Sequence, residues 1–134
     1  MDMPVCVRIC SFSYKKGIPT CPDGAPVDFV FDCRGLPNPY AVEALRPLTG
    51  RDGPVADFME VHGEEVRAFL VPVRQLVQDA LRACERDGRE RLAVAFGCRG
   101  GRHRSVYCAE SLGGFLRACE SCDVEVVHER LSER

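Results

Sequence analysis

The stretch VAFGCRGGRHRS, Val94 to Ser105, decides the fold prediction for this chain of 134 residues. It contains the end of an unbroken apolar run, Leu92 to Phe96, which is typical of a strand buried on both faces. The glycine pair Gly100 and Gly101 then marks a turn, after which apolar residues recur at helical spacing as far as Cys119. A strand, a glycine turn and a helix in this order predict a unit of an α/β sheet.

The remaining elements predict the same class of fold. Further strands are expected at Val5–Phe12, Val27–Cys33 and Asp123–Val127. A helical pattern runs from Pro54 to Gly88, and Pro72 inside it predicts a kink or a break into two helices near Leu70 to Pro72. We expect a single domain over residues 1–134, an α/β fold with a mixed or largely parallel sheet of about four to five strands flanked by helices.

Composition excludes several classes of function. The net charge of −2 argues against a generally basic surface for nucleic acids, so any anion site must be local. Nine cysteines, an odd number at irregular spacing behind no recognisable signal peptide, indicate a reduced, cytoplasmic protein. No apolar run approaches the roughly 20 residues of a membrane-spanning helix, so no membrane association is expected.

The turn after the Leu92–Phe96 strand is the candidate binding site, and Gly97 to Ser105 are called the strand-to-helix loop below. Ligands of α/β sheets bind at the carboxyl ends of strands, where the first N–H groups of a helix attract anions. Glycine lets the backbone approach a ligand, and arginine binds phosphate through paired hydrogen bonds. The basic residues are Arg99, Arg102, His103 and Arg104. We predict binding of phosphate or a phosphate ester; the alternative is a strand end followed by a solvated helix start.

Whether the loop also reacts is a second question. Cys98, Gly101, Arg104 and Ser105 spell C-x-x-G-x-x-R-S, which resembles the phosphate loop of cysteine-dependent phosphatases. In that chemistry a thiolate attacks phosphorus, arginine holds the phosphoryl oxygens, and an aspartic acid protonates the leaving group. Gly97 stands where such loops usually have histidine, and the candidate acids are Asp32, Asp52 and Asp57. In the alternative interpretation, Cys98 is a small residue at the end of a strand.

Four longer segments carry a more specific likeness. They are SFSYKKGIP (Ser11 to Pro19), FDCRGLPNPY (Phe31 to Tyr40), LRPLTGRDGPVADFM (Leu45 to Met59) and AFGCRGGRHRSVYCAESLGGFLR (Ala95 to Arg117). In order and spacing they resemble the C-terminal domain of the RapZ (YvcJ) family of bacterial RNase adapter and nucleotide-binding proteins, over about residues 5–132. The resemblance implies a ligand-binding α/β domain that senses an amino-sugar phosphate, contacts RNA and partner proteins, and forms a dimer.

The resemblance also implies which residues form the site, and two positions differ from the family's usual residues. Cys98, Gly100, Gly101, His103 and Arg104 match the family's loop. Arg99 stands where threonine is common and Tyr40 where histidine is common, and both are expected to face the pocket, which puts the identity of the ligand in question. Family members carry an N-terminal P-loop domain, but the chain contains no G-x-x-x-x-G-K-[ST], so ATP binding is not carried over. The chain looks like the C-terminal domain standing alone.

Two further features weigh against other partners. Adapter members of the family end in a run of Lys and Arg, whereas this chain ends VHERLSER, in which Glu129 and Glu133 offset Arg130 and Arg134. Cys119-x-x-Cys122 would need two more ligands to hold zinc. We therefore expect neither RNA binding nor a metal or other cofactor.

The sequence thus predicts a module that binds a small phosphorylated metabolite, with a sugar or amino-sugar phosphate as the candidate. Its role would be regulatory or that of an adapter, exerted through a protein partner or a homodimer. The alternatives that stay open are a cysteine-dependent phosphomonoesterase, less favoured than simple binding, and an RNA-binding adapter.

Overall fold

The computed structural model describes residues 3–131, which fold as one α/β unit. In chain order its strands and helices are β1 (Cys6–Ser13), β2 (Phe29–Asp32), α1 (Gly53–Val61), α2 (Gly63–Asp87), β3 (Arg91–Cys98), α3 (Arg104–Cys119) and β4 (Asp123–His128). Two short 3₁₀ turns, Pro39–Ala41 and Glu43–Leu45, lie in the connecting segment, residues 34–52, that joins β2 to α1. The predicted fold class is confirmed.

The four strands form one sheet in the order β2-β3-β1-β4, and every neighbouring pair is parallel. Strand β1 lies between β3 and β4, with Cys6 opposite both Arg91 and Asp123. Because all strands run the same way, their carboxyl ends meet at a single edge of the sheet. The strand-to-helix loop leaves β3 at that edge.

The two faces of the sheet are covered differently. Alternate residues of a strand point to opposite faces. On one face Val7 and Ile9 of β1 share the main core with Val94 of β3 and with apolar side chains of α2 and α3. On the other face a smaller cluster, Cys10, Phe12 and Ala95, packs with side chains from the loop that follows β1 and from β4. Helices therefore cover one face, and α3 stays close to the central strands.

Of the two outcomes expected near Leu70 to Pro72, a kink or a break into two helices, the break is wrong. Helix α2 continues through Pro72, and the helical region divides at His62, between α1 and α2. Pro72 lies on the exposed side of α2, where water can solvate the Ala68 carbonyl that lacks its usual N–H donor. The strands agree with the predicted positions, although β3 extends to Cys98 because pairing with Ser13 continues that far.

No helix within residues 3–131 is long and apolar enough to cross a bilayer. Glu133 and Arg134, two of the residues behind the expectation of no RNA binding, lie outside the residues that the structure describes.

A pair of adjacent glycines in α3 tests the packing of that helix on the sheet. A Cβ at Gly113 would lie 2.8 Å from Cγ2 of Val126, whereas a Cβ at Gly114 would meet nothing within 4 Å. We expect Gly113→Ala to lower the free energy of unfolding by about 1–3 kcal/mol through overpacking. Gly114→Ala should raise it by up to about 1 kcal/mol through helix propensity. Urea denaturation of both variants measures this, and equal effects would contradict the packing.

Candidate functional site

The carboxyl edge of the sheet brings together the ends of β1, β2 and β3. Ser13 is the register partner of Cys98, and Asp32 is the partner of Gly97. The hydroxyl of Ser13 donates to the carbonyl of Arg99 at 2.6 Å, and the Tyr14 N–H donates to the carbonyl of Cys98 at 3.0 Å. The start of the strand-to-helix loop is thereby fixed to the end of β1.

Two glycines of the loop are required by close contacts. Gly101 has φ of 70°, in the left-handed region, and a Cβ there would lie 2.9 Å from the backbone nitrogen of Ser13. A Cβ at Gly97 would collide with the ring of Phe12. Gly100 is exposed, and a Cβ there would meet nothing within 4 Å. Gly97 and Gly101 thus let the loop lie against β1, whereas Gly100 leaves one side open.

Helix α3 presents its amino terminus at the same edge. Its first residue is Arg104, its N-cap is His103, and within residues 3–131 no side chain caps it by a hydrogen bond. The first turns carry the positive end of the helix dipole and N–H groups that have no acceptor inside the helix. Ser105, in this first turn, is fully buried, with its hydroxyl 3.1 Å from the sulfur of Cys98.

The three arginines of the loop have different environments. Arg104 is buried, and its Nη1 donates to the carbonyls of Arg34, at 2.8 Å, and Leu36, at 3.2 Å. Arg102 is half-buried and donates to the carbonyl of Arg130 at 3.4 Å. Arg99 is exposed. Arg104 therefore holds the connecting segment while placing its charge inside the edge, and Arg99 offers its charge outward.

His103 faces the connecting segment. It is 7% exposed, and its Nε2 lies 3.0 Å from the carbonyl of Leu45, an acceptor, so Nε2 carries the proton. Burial lowers the pKa of His103, and the charges of Arg102 and Arg104 lower it further. This histidine is neutral near pH 7, and its hydrogen bond to Leu45 links the loop to the connecting segment.

Gly50 allows the connecting segment to reach the amino terminus of α3. Its N–H donates to the carbonyl of Arg102 at 2.8 Å, and a Cβ on Gly50 would collide with the His103 carbonyl. The sequence motif LRPLTG is thereby explained as the segment that packs against the loop.

Tyr40 lies at the rim of the site. Its ring is 56% exposed and its centroid lies 6.4 Å from that of His103. The guanidinium of Arg46 lies 4.9 Å from the Tyr40 ring centroid, and its Nε donates to the Tyr40 carbonyl at 2.8 Å. The structure therefore brings the predicted Tyr40 close to the predicted loop.

The sequence did not predict that Asp32, Arg34 and Tyr14 form one cluster at the end of β2. Arg34 binds both carboxylate oxygens of Asp32, at 2.9 and 2.8 Å, and its guanidinium lies 3.8 Å from the Tyr14 ring centroid. The hydrogen bonds from Arg34 are the main cause of the lowered pKa of Asp32, and the charge of Arg104 adds to them. FDCRG contains the pair, but nothing in its pattern indicates that Tyr14 joins it.

Three buried thiols belong to the loop or to its neighbouring elements. Cys98 is 2% exposed, and Cys33 and Cys108 are fully buried. A hydrogen bond with Cys108, together with burial, raises the pKa of Cys33 well above its usual value. Thiols in such surroundings are poor nucleophiles.

The other two candidate acids, Asp52 and Asp57, lie at the start of α1 and within it. Asp52 accepts from the Thr49 N–H at 2.7 Å and stands at the N-cap of α1, and Asp57 is exposed on that helix. No group of three or more His, Cys, Asp or Glu side chains within residues 3–131 is arranged to hold a metal ion.

A cleft of about 430 Å³ lies away from the loop, at the amino ends of β1 and β3. Its lining includes Arg8, Ala93 and Glu125 from the sheet and Asp23 and Pro26 from the loop that follows β1. The strand-to-helix loop does not line this cleft.

Comparison with known proteins agrees with this arrangement. The family model described as the RapZ C-terminal domain matches residues 5–132. Since that match covers nearly the whole chain, the fold and the loop belong to a defined class of bacterial α/β domain. The chain is a member of the RapZ C-terminal domain family.

Individual relatives are longer proteins. The chain is 45% identical over 117 residues to a nucleotide-binding protein of Herminiimonas arsenicoxydans, a match covering 87% of the chain and 39% of that protein. It is 49% identical over 108 residues to one of Cupriavidus pinatubonensis (81% and 35%). For one of Thiobacillus denitrificans, the identity is 48% over 122 residues (91% and 41%). The chain spans about two fifths of these relatives.

The environment of His103 predicts how stability depends on pH. The pKa of His103 in the folded protein lies below the ordinary 6.5, so the unfolded chain binds the proton more readily. Its contribution to stability is complete above about pH 6.5 and is lost as the pH falls through that value toward the folded pKa. His103→Asn should flatten the decline in stability between pH 7.5 and pH 5. Urea midpoints across this range measure it, with His62→Asn as a control; equal slopes in all three proteins would contradict the assignment.

Proposed function

We propose that the chain binds a small phosphorylated metabolite, a phosphate monoester such as a sugar or amino-sugar phosphate, at the strand-to-helix loop. One observation carries the proposal: the amino terminus of α3, without a side-chain cap among the described residues, opens at the carboxyl edge of a parallel sheet behind Gly100 and Gly101. Backbone N–H groups in this position are suited to phosphate oxygens.

The charges around the loop support an anion as the ligand. Arg99 is exposed beside the open side at Gly100, and Arg102 and Arg104 flank the first turn of α3. Asp32, the nearby carboxylate on β2, is paired with Arg34, whose side chain donates to both of its oxygens. The edge thus combines cations with a paired carboxylate, which favours a compact dianion.

A nucleoside triphosphate is less well supported. The relatives are named nucleotide-binding proteins, but the chain corresponds to about two fifths of their length and contains no G-x-x-x-x-G-K-[ST]. We propose that the occupied domain acts on a protein partner or on a second copy of the chain, which gives the site a regulatory role.

The test is a binding panel of inorganic phosphate, hexose phosphates, amino-sugar phosphates and nucleotides, read by thermal shift and calorimetry. Arg99→Ala and Arg102→Ala should each weaken the best ligand by about tenfold, since each removes a charged hydrogen-bond donor. Arg86→Ala, the matched control, removes the same charge from the far end of α2 and should leave affinity unchanged. Equal losses in all three variants would show a general effect of charge and contradict the proposed site.

Arg104 and Cys98 separate binding from reaction. Arg104→Ala should abolish binding, but Arg104 also holds the Arg34 and Leu36 carbonyls, so its fold must be checked by circular dichroism. Cys98→Ser should leave the affinity for phosphate esters nearly intact. Loss of binding in a folded Cys98→Ser protein would count against a purely binding role.

A cysteine-dependent phosphomonoesterase is the second candidate. It is favoured by the 3.1 Å contact between the Cys98 sulfur and the Ser105 hydroxyl, which could stabilise a thiolate at the start of a helix. The thiolate would attack phosphorus and form an S–P bond while the P–O bond to the leaving group breaks, and a carboxylic acid would protonate the departing oxygen to give the alcohol. Water would then cleave the S–P bond and release phosphate. The 2% exposure of Cys98 and the lowered pKa of Asp32 weigh against this reaction.

Alkylation kinetics and phosphate release distinguish the two functions. We expect iodoacetamide to modify Cys98 slowly near neutral pH and p-nitrophenyl phosphate to remain intact, because the thiol is buried. Cys119, which is exposed, serves as the internal reference for alkylation by mass spectrometry. Rapid modification of Cys98, together with phosphate release that Cys98→Ser removes, would establish the enzyme instead.

A further inference from the structure

Three hydrogen-bonded polar side chains, those of Ser11, His128 and Glu110, lie beside the strand-to-helix loop. The Ser11 hydroxyl, on β1, lies 2.6 Å from Nδ1 of His128, the last residue of β4. Nε2 of the same ring lies 2.6 Å from a carboxylate oxygen of Glu110, on α3. Ser11 is fully buried and the His128 side chain is 7% exposed. The imidazole therefore joins two strands and a helix.

The partners determine how His128 is protonated. The Glu110 carboxylate can only accept, so Nε2 carries a hydrogen and donates it. Nδ1 of the neutral ring then accepts from the Ser11 hydroxyl, so the ring links Ser11 to Glu110. These three residues are called the brace below. Arg51, 4.0 Å from the same Glu110 oxygen, adds a favourable charge from the connecting segment.

The residues that follow His128 lie on the loop. The Glu129 N–H donates to the Ser11 carbonyl at 3.1 Å. The Arg130 carbonyl accepts from Nη1 of Arg102 at 3.4 Å, and Cγ of Arg130 would be 2.6 Å from a Cβ at Gly101. Residues 129–131, called the C-terminal turn, are thus held by β1 on one side and pack on the loop on the other.

The same brace reaches the helix that provides the anion site. Glu110 lies on α3, fewer than two turns after Arg104. The Ser11–His128–Glu110 chain consequently fixes α3 against β1 while it fixes the C-terminal turn over Gly101. Ser11 and the His128 side chain are buried, whereas the Glu110 side chain is 39% exposed. The hydrogen bonds that join them are directional.

We propose that His128, braced by Ser11 and Glu110, is a positioning residue for the anion site: it holds the C-terminal turn against Gly101 and Arg102 and so orders the loop for its ligand. This inference rests on the proposed function, because it assigns the loop as the binding site. By reciprocity, occupation of the loop stabilises the C-terminal turn.

Affinity for inorganic phosphate is the first measurement, by calorimetry on the whole chain. His128→Ala and Glu110→Ala should each raise the Kd roughly 3- to 30-fold, the range for residues that act through others. The double variant should lose little more than either single variant, since both break one chain. Glu125→Ala, also on β4 but exposed and outside the brace, is the matched control and should bind like the wild type.

Rescue separates positioning from simple loss of packing. A glutamine side chain can accept from Ser11 and donate to Glu110, so His128→Gln should restore the Kd to within about threefold of the wild type. If His128→Ala does not fold, Ser11→Ala, which removes one hydroxyl, takes its place. A Kd that is unchanged in every brace variant, while the wild type binds phosphate, would overturn the proposal.

A ligand-free readout distinguishes failure of this proposal from failure of the proposed function. Backbone ¹⁵N order parameters of Gly101 and Arg102 should fall in His128→Ala and Glu110→Ala and stay at the wild-type value in Glu125→Ala. If the wild type does not bind any phosphate compound, the proposed function fails, and these order parameters alone decide the positioning role. Unchanged order parameters in both brace variants would refute it.

Discussion

The close approach of the strand-to-helix loop to β1 is the constraint on which the carboxyl edge depends. Gly101 lies against the backbone of Ser13, and Gly97 lies against the ring of Phe12. Without side chains at these positions, the carbonyls of Cys98 and Arg99 can accept hydrogen bonds from Tyr14 and Ser13. A loop fixed in this way orients the amino terminus of α3, and a preorganised set of N–H donors binds an anion at lower entropic cost.

The arginines at this edge differ in their burial. Arg104 is buried against the carbonyls of the connecting segment, whereas Arg99 is exposed. A buried cation whose donors are satisfied by carbonyls keeps its long-range field, because a carbonyl does not neutralise it. Asp32 remains ionised beside it and is matched by Arg34. The edge can therefore remain positive although the whole chain has a net charge of −2.

The chain belongs to the RapZ C-terminal domain family, and the bacterial relatives that it matches are a little over twice as long as the chain. The loop residues anticipated from the sequence lie together in space, with Tyr40 at the rim. His103 was predicted to bind the ligand, but its ring hydrogen-bonds to the Leu45 carbonyl and thereby links the loop to the connecting segment. A side chain's direction depends on the packing of a segment more than 50 residues away, which no local pattern encodes.

The sequence by itself determined the fold class and the order of elements, because apolar periodicity and glycine placement are local consequences of backbone geometry. It also predicted the strand-to-helix loop as the binding site, which stays a prediction. The break expected at Pro72 is absent. The free-energy cost of a proline inside a helix depends on whether the carbonyl four residues before it is solvated, which the local sequence does not show. Only the tertiary structure decided the strand order β2-β3-β1-β4 and the contacts of His128 with Ser11 and Glu110. These residues stand 117 and 18 positions from His128, so folding alone brings them together.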